Sequence, residues 1–197
     1  MGLKLDAAYF QQSDVVALAK DLIGKRLVSQ IGNIRTSGLI TETEAYRGWG
    51  DKACHAHLQK KTQRTAVMYQ PGGVAYVYLC YGIHHLFNIV TNVKDQADAI
   101  LIRAIQPDAG IAAMLNRRAK KKAEPGLAAG PGNLTKALGI TTKYYGHSLE
   151  GSLLFLEDIG LKPDVESRTR IGIDYAGEDA LLPWRFVWKE KPCVSKK

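Results

Sequence analysis

The chain has 197 residues, with 27 Lys or Arg against 19 Asp or Glu and a formal net charge of +8. Apolar residues make up 46%, enough for one core, so a single domain over residues 1–197 is expected. The positive surplus favours an anionic partner, although a merely solvated basic surface is an equally common use of such charge. Three cysteines far apart, Cys54, Cys80 and Cys193, argue against a disulfide framework and for a reducing compartment. No apolar run approaches the ~20 residues of a membrane span, and the first residues hold no signal-peptide core. Asp6 stands where an N-myristoylation motif wants Ser or Thr. The expectation is a soluble cytoplasmic protein, nucleoid-associated in a bacterium or nuclear in a eukaryote, with no membrane partner.

In chain order, Ser13 or Asp14 opens a helix that places Val15, Val16, Leu18, Ala19 and Leu22 on one side and ends at Gly24. RLVSQ and SGLITETEAY alternate apolar or β-branched with polar residues and read as strands. Residues 47–66 lose the periodicity and read as a loop with a turn of helix. After Pro71-Gly72-Gly73 comes a strand-rich stretch, VAYVYLCYGIHHLFNIVTN, which turns at Tyr81-Gly82. AILIRAIQP is a strand closed by Pro107, and residues 108–123 form a helix with a basic end, NRRAKKKA, which the helix dipole tolerates. EPGLAAGPG is a loop, and Asn133 caps a short helix that ends at Gly139. The remainder reads as short strands and turns. Strands are too often adjacent for a regular βαβ array, so the fold class is α+β.

Several residue patterns bear on chemistry. In TETEAY, Glu42, Glu44 and Tyr46 share one strand face and Thr41, Thr43 and Ala45 the other. A carboxylate beside an aromatic ring can position a water and take its proton. On pattern alone, a solvated strand face is the commoner arrangement. Tyr76 and Tyr78 lie two apart in the next strand, as ordinary cross-strand tyrosines also do. Tyr81 stands at the hairpin turn, where an exposed aromatic suits insertion between base steps. Cys54, His55, His57, His84 and His85 lack zinc-ligand spacing, so no metal is expected. There is no P-loop, dinucleotide fingerprint or nucleophile elbow. The Gly-rich stretch at 130–133 suits either phosphate contact by backbone amides or a plain turn.

The order of these segments is more specific than any one of them. ETEAYRG, His55, TQR…MYQPG, YVYLCYG…N, LIRAIQP, GPGNLTKALGI and RIGIDYAGE…PWRF together resemble the alkyladenine (3-methyladenine) DNA glycosylase family, from about residue 18 onward. The resemblance implies a compact α+β domain with a curved, mainly antiparallel sheet, flanking helices and a protruding β-hairpin. It implies a monofunctional DNA repair enzyme that flips alkylated or otherwise damaged purines from double-stranded DNA and hydrolyses the N-glycosidic bond, as a monomer and without cofactor or metal. Glu44 matches the water-activating carboxylate, and Arg103 the residue that helps hold the water and a phosphate. Tyr46 and His55 match one wall of the base pocket and Tyr78 the other. Asn88 matches the residue that disfavours the guanine amino group, and Ile171 supplies a main-chain carbonyl to the water. Tyr81 matches the intercalating wedge. Thr62 and Arg64 align with a stretch that contacts the DNA backbone. The rival reading is a non-catalytic nucleic-acid-binding module, which basic charge and exposed aromatics suit equally. Glu44 separates the two, because a pure binder gains nothing from a carboxylate facing an anionic ligand.

Overall fold

The computed structural model describes residues 2–189, 191 and 193–195. The chain opens with β1 (Leu3–Lys4), α1 (Ala7–Phe10) and α2 (Val15–Asp21). Asp14 caps α2, its Oδ1 accepting from the amides of Val16 and Ala17 at 3.0 Å each. Then come β2 (Arg26–Ile31), β3 (Ile34–Tyr46), β4 (Ala75–Cys80), β5 (His84–Thr91) and β6 (Asp98–Ala109). They are followed by α3 (Ile111–Arg118), α4 (Pro131–Leu138), β7 (Leu154–Asp158), β8 (Val165–Arg168) and β9 (Arg185–Trp188).

Among the described residues, all strand pairings are antiparallel and run in the order β1-β7-β2-β3-β6-β5-β4, with β9 joining β3 and β8 joining β9. This is the expected α+β arrangement with a mainly antiparallel sheet. The 47–66 loop contains one 3-10 turn, His57–Gln59, as expected, and a second, Ala66–Tyr69, begins at its last residue. Among the described residues, no helix is long and apolar enough to cross a membrane.

The two sheet faces have different tasks. One packs beneath α2, α3 and α4, joining Leu18, Leu22, Met114, Leu134 and Leu138 to Val77, Phe87, Ile89, Ile100 and Ile102. Strand alternation sends their neighbours Tyr76, Tyr78, Asn88 and Leu101 to the opposite face. On β3 and β6 the alternation is broken where it matters. Ile40 pairs with Ile105, Glu42 with Ala104 and Thr43 with Ile102, so Thr41 and Arg103 fall outside the regular register. This irregularity lets Ile40 and Ala45, five positions apart, both reach the helix-covered core. Glu42 and Glu44 turn to the other face, where β-bulges commonly re-aim functional side chains.

Three local expectations need correction. Pro107 does not end its strand, because β6 continues to Ala109. Gly110 then turns the chain with a left-handed φ of 71°, and the helix spans only Ile111–Arg118, leaving Lys120–Lys122 beyond it. Asn133 is not the cap of α4. The helix starts earlier, with Gly130 as N-cap and Pro131 in the first turn, where a missing N–H costs nothing. Asn133 instead donates from Nδ2 to the Ala129 carbonyl at 2.8 Å. Gly132 has a packing role, since a Cβ there would lie 2.9 Å from the His84 ring.

Ile102 is fully buried beneath the helices, next to Arg103. Replacing it with Ala should lower unfolding stability by about 2–5 kcal/mol, read from the urea midpoint. An unchanged midpoint would show that this face is not the packed core.

Candidate active site

On the face opposite the helices lies a pocket of about 410 Å³, within the roughly 300–1,000 Å³ typical of small-molecule sites. Its floor is the sheet: Tyr46, Ala99, Leu101, Arg103, Asn88, Leu86, Tyr76 and Tyr78. Its walls are the 53–68 loop, the β4–β5 hairpin and residues 171–175. The structure thus brings together Tyr46, His55, Tyr78, Asn88, Arg103, Ile171 and Tyr81, which are scattered over the sequence. Thr62 and Arg64 part company. Thr62 sits in an outer turn, its amide donating to Thr65 Oγ1 at 2.8 Å. Arg64 lines the pocket, its guanidinium 5.4 Å from the Tyr78 ring centre.

Glu44 lies under this floor, fully buried, so the solvated strand face does not apply. Three pocket residues hold it. Ile171 N–H donates to Oε1 at 2.8 Å, Tyr46 O–H to Oε2 at 2.8 Å, and Arg103 Nη1 to Oε2 at 3.1 Å. A carboxylate offers about four lone-pair sites, so acceptor capacity remains on Oε1. To this carboxylate Ile171 contributes its amide hydrogen. Burial by itself pulls the Arg103 pKa down, but the Glu44 and Glu42 charges outweigh it and the guanidinium is held above its usual range. The Tyr46 hydroxyl is pushed well up, by burial first and then by the Glu44 charge, so it stays a donor.

The aromatic walls are fixed from behind. His55 and Tyr78 meet edge to face at 4.8 Å, and Tyr76 lies 5.3 Å from Tyr78, so His55 belongs to the Tyr78 wall and not, as expected, to that of Tyr46. His55 Nδ1 shares a 2.9 Å hydrogen bond with the Tyr76 hydroxyl. Asn88 donates from Nδ2 to the Tyr76 carbonyl at 3.1 Å, which orients its amide. Against Tyr46 packs Arg170, 4.9 Å from the ring centre and outside the pocket lining. Arg170 is doubly bonded to Asp51, at 2.6 and 2.8 Å, and donates to the Ala45 carbonyl at 2.9 Å. This buried fork ties the loop carrying His55 to the segment carrying Ile171 and to the end of β3. The expectations from sequence overlooked Arg170, Asp51 and Arg185, and gave Glu42 a place on the strand face but no role in the site. The available signal was charge inside motifs otherwise apolar, RIGID and PWRF.

At the pocket mouth, the β4–β5 turn closes with Ile83 N–H donating to the Cys80 carbonyl at 3.1 Å. Both central residues have positive φ, 51° for Tyr81 and 72° for Gly82. Glycine adopts that geometry freely, whereas a tyrosine is strained there. The Tyr81 side chain is 91% exposed. Among the described residues, no three His, Cys, Asp or Glu side chains cluster as metal ligands would.

Burial, and secondarily the Arg64 charge, lowers the His55 pKa from 6.5 to about 4, so the ring is neutral at pH 7. Between those values the unfolded chain binds a proton there that the folded chain does not. This contribution is therefore fully present above pH 6.5 and is lost as pH falls towards 4. His55→Gln should flatten that part of the stability–pH curve, measured by urea unfolding at pH 7 and pH 5. Parallel curves for the two proteins would mean that His55 is not held neutral.

The sequence profile described as Methylpurine-DNA glycosylase (MPG) matches residues 9–192. A protein of Chlamydia abortus (strain DSM 27085 / S26/3) is 47% identical, over 93% of this chain and 97% of its own. One from Bacillus cereus (strain B4264) is 42% identical, over 95% of this chain and 97% of its own. One from Chlamydia pneumoniae is 45% identical, over 93% and 94%. All three are provisionally named 3-methyladenine DNA glycosylase. A family match over nearly the whole chain, and relatives this similar over nearly their whole length, place this chain in the methylpurine-DNA glycosylase family of DNA repair enzymes.

Proposed function

We propose that this chain, acting as a monomer, takes a damaged purine, typically an alkylated one, out of double-stranded DNA into the pocket and hydrolyses its N-glycosidic bond. The observation that carries this reading is Glu44, a buried carboxylate fixed by three donors directly beneath an aromatic pocket. A binding module has no use for a carboxylate so placed.

A purine inside a duplex shields its C1′ from attack, so the nucleotide is rotated out, at a cost of roughly a few kcal/mol and less when the base is damaged. Tyr81, strained and exposed on its turn, fills the gap that is left. The base enters between Tyr46 on one side and the touching rings of His55 and Tyr78 on the other. A base alkylated at N3 or N7 is cationic and gains about 0.5–2 kcal/mol against such rings. Asn88, held by the Tyr76 carbonyl, screens the edge that carries the guanine amino group. Arg103 and the Ile171 main chain help to hold the attacking water.

The C1′–N bond breaks through an oxocarbenium-like transition state, as in glycoside hydrolysis. The bonding pair leaves with the base, which neutralises the cation that alkylation created. Water oxygen bonds to C1′ as Glu44 accepts its proton, giving free base and an abasic sugar. No lysine lines the pocket among the described residues, which supports water rather than an amine as nucleophile. Lys60, Lys61 and Thr62, in the loop that walls the pocket, supply a sequence-independent hold on phosphates together with the Arg64 guanidinium.

Glu44→Gln should abolish release of 7-methylguanine from a duplex carrying one such base, followed by chromatography of the free base. Release at the wild-type rate would remove Glu44 from the mechanism. Tyr81→Ser should weaken binding to the damaged duplex, measured by fluorescence anisotropy. Unchanged affinity and rate would rule out the wedge.

A further inference from the structure

Glu42 has no part in the chemistry outlined above, yet it is as deeply buried as Glu44. Two carboxylates on one face of a strand repel each other in a dry site unless cations separate them. Arg103 lies between them, with Nε on Glu42 Oε1 at 2.9 Å and Nη1 on Glu44 Oε2 at 3.1 Å. A guanidinium is a rigid planar fork, so the direction of Nε fixes the direction of Nη1. Glu42 therefore sets how Arg103 meets Glu44.

Glu42 is held in turn. Arg185 Nη1 donates to its Oε1 at 3.0 Å. Ser195, beyond β9, adds two further bonds. Ser195 O–H donates to Glu42 Oε1 at 2.6 Å, and Ser195 N–H donates to Oε2 at 2.6 Å. The same hydroxyl oxygen accepts from Arg103 Nε at 3.3 Å and Nη2 at 3.1 Å. A hydroxyl has one donor and two acceptor sites, so it can serve both partners at once. Thr41, displaced from register on β3, donates its hydroxyl to the Cys193 carbonyl, two residues before Ser195. Neither Glu42 nor Ser195 lines the pocket.

We propose that Ser195 and Glu42 are positioning residues that hold Arg103 on a single oxygen of Glu44 and so keep the other oxygen able to accept a proton. Without the Ser195 hydroxyl, the Arg103 fork swings onto both Glu44 oxygens as a bidentate pair, the geometry guanidinium–carboxylate pairs favour. That occupies the acceptor site the water needs. The inference rests on Glu44 as the water-activating group.

The test is single-turnover release of 7-methylguanine from a duplex by Ser195→Ala, Ser195→Thr, Glu44→Gln and the Ser195→Ala/Glu44→Gln double variant, with duplex affinity and thermal midpoint measured for each. Ser195→Ala should slow release about tenfold or more, as small misplacements of reacting groups do, with affinity and midpoint near wild type. Ser195→Thr, which keeps the hydroxyl, should restore the rate, and adding Ser195→Ala to Glu44→Gln should cost nothing further. A wild-type rate for Ser195→Ala beside an inactive Glu44→Gln overturns this inference and leaves the base assignment standing. So does a loss shared equally by rate, affinity and midpoint that Ser195→Thr does not restore. An active Glu44→Gln overturns the reading on which the inference rests.

Discussion

The Arg103 guanidinium between Glu42 and Glu44 is the contact around which the site is arranged. Two buried carboxylates on one strand face are tolerable only with positive charge between and beside them, and Arg103 and Arg185 provide it. Removing one member of such a cluster leaves an uncompensated buried charge, which is far more costly than losing a surface pair. The cluster therefore binds β3, β6, β9 and Ser195 into one polar centre beneath the pocket.

The sheet supplies the geometry that the cluster requires. Displacing Thr41 and Arg103 from regular pairing lets β3 and β6 keep apolar side chains under the helices while sending charge to the other face. On β4 and β5 no irregularity is needed, because plain alternation already separates Val77 and Phe87 from Tyr78 and Asn88. The pocket is thus built on rigid strands, and only its walls come from loops. Those walls are locked by the buried Asp51–Arg170 pair, which joins segments more than a hundred residues apart.

Charge is also distributed unevenly over the two layers. Arg117 and Arg118, at the end of α3, belong to the helical layer and donate to the carbonyls of Ala137 and Leu127. The basic cluster most conspicuous in the sequence is therefore partly committed to fastening helices. Lys60, Lys61 and Arg64 lie instead in the loop that walls the pocket. Net charge indicates an anionic partner, whereas the layer in which each cation sits depends on the fold.

Much was readable from residues alone. Period-two patterning marked the main strands, and the common face of Glu42, Glu44 and Tyr46 followed from it. Asp14 and Gly139 marked helix ends where their side chain or φ is needed. The turn at Tyr81-Gly82 and the family resemblance were equally plain. Local rules failed where long-range packing decided. Pro107 was accommodated within a strand, and Asn133 gave up the cap to a Gly-Pro start. The sequence by itself determined which residue types the chain offers and how they alternate along each strand. Only the tertiary structure decided that both glutamates are buried, that Arg103 stands between them and that Ser195 closes the cluster. Those facts depend on register shifts and on contacts between distant segments, and no local pattern of side chains encodes either.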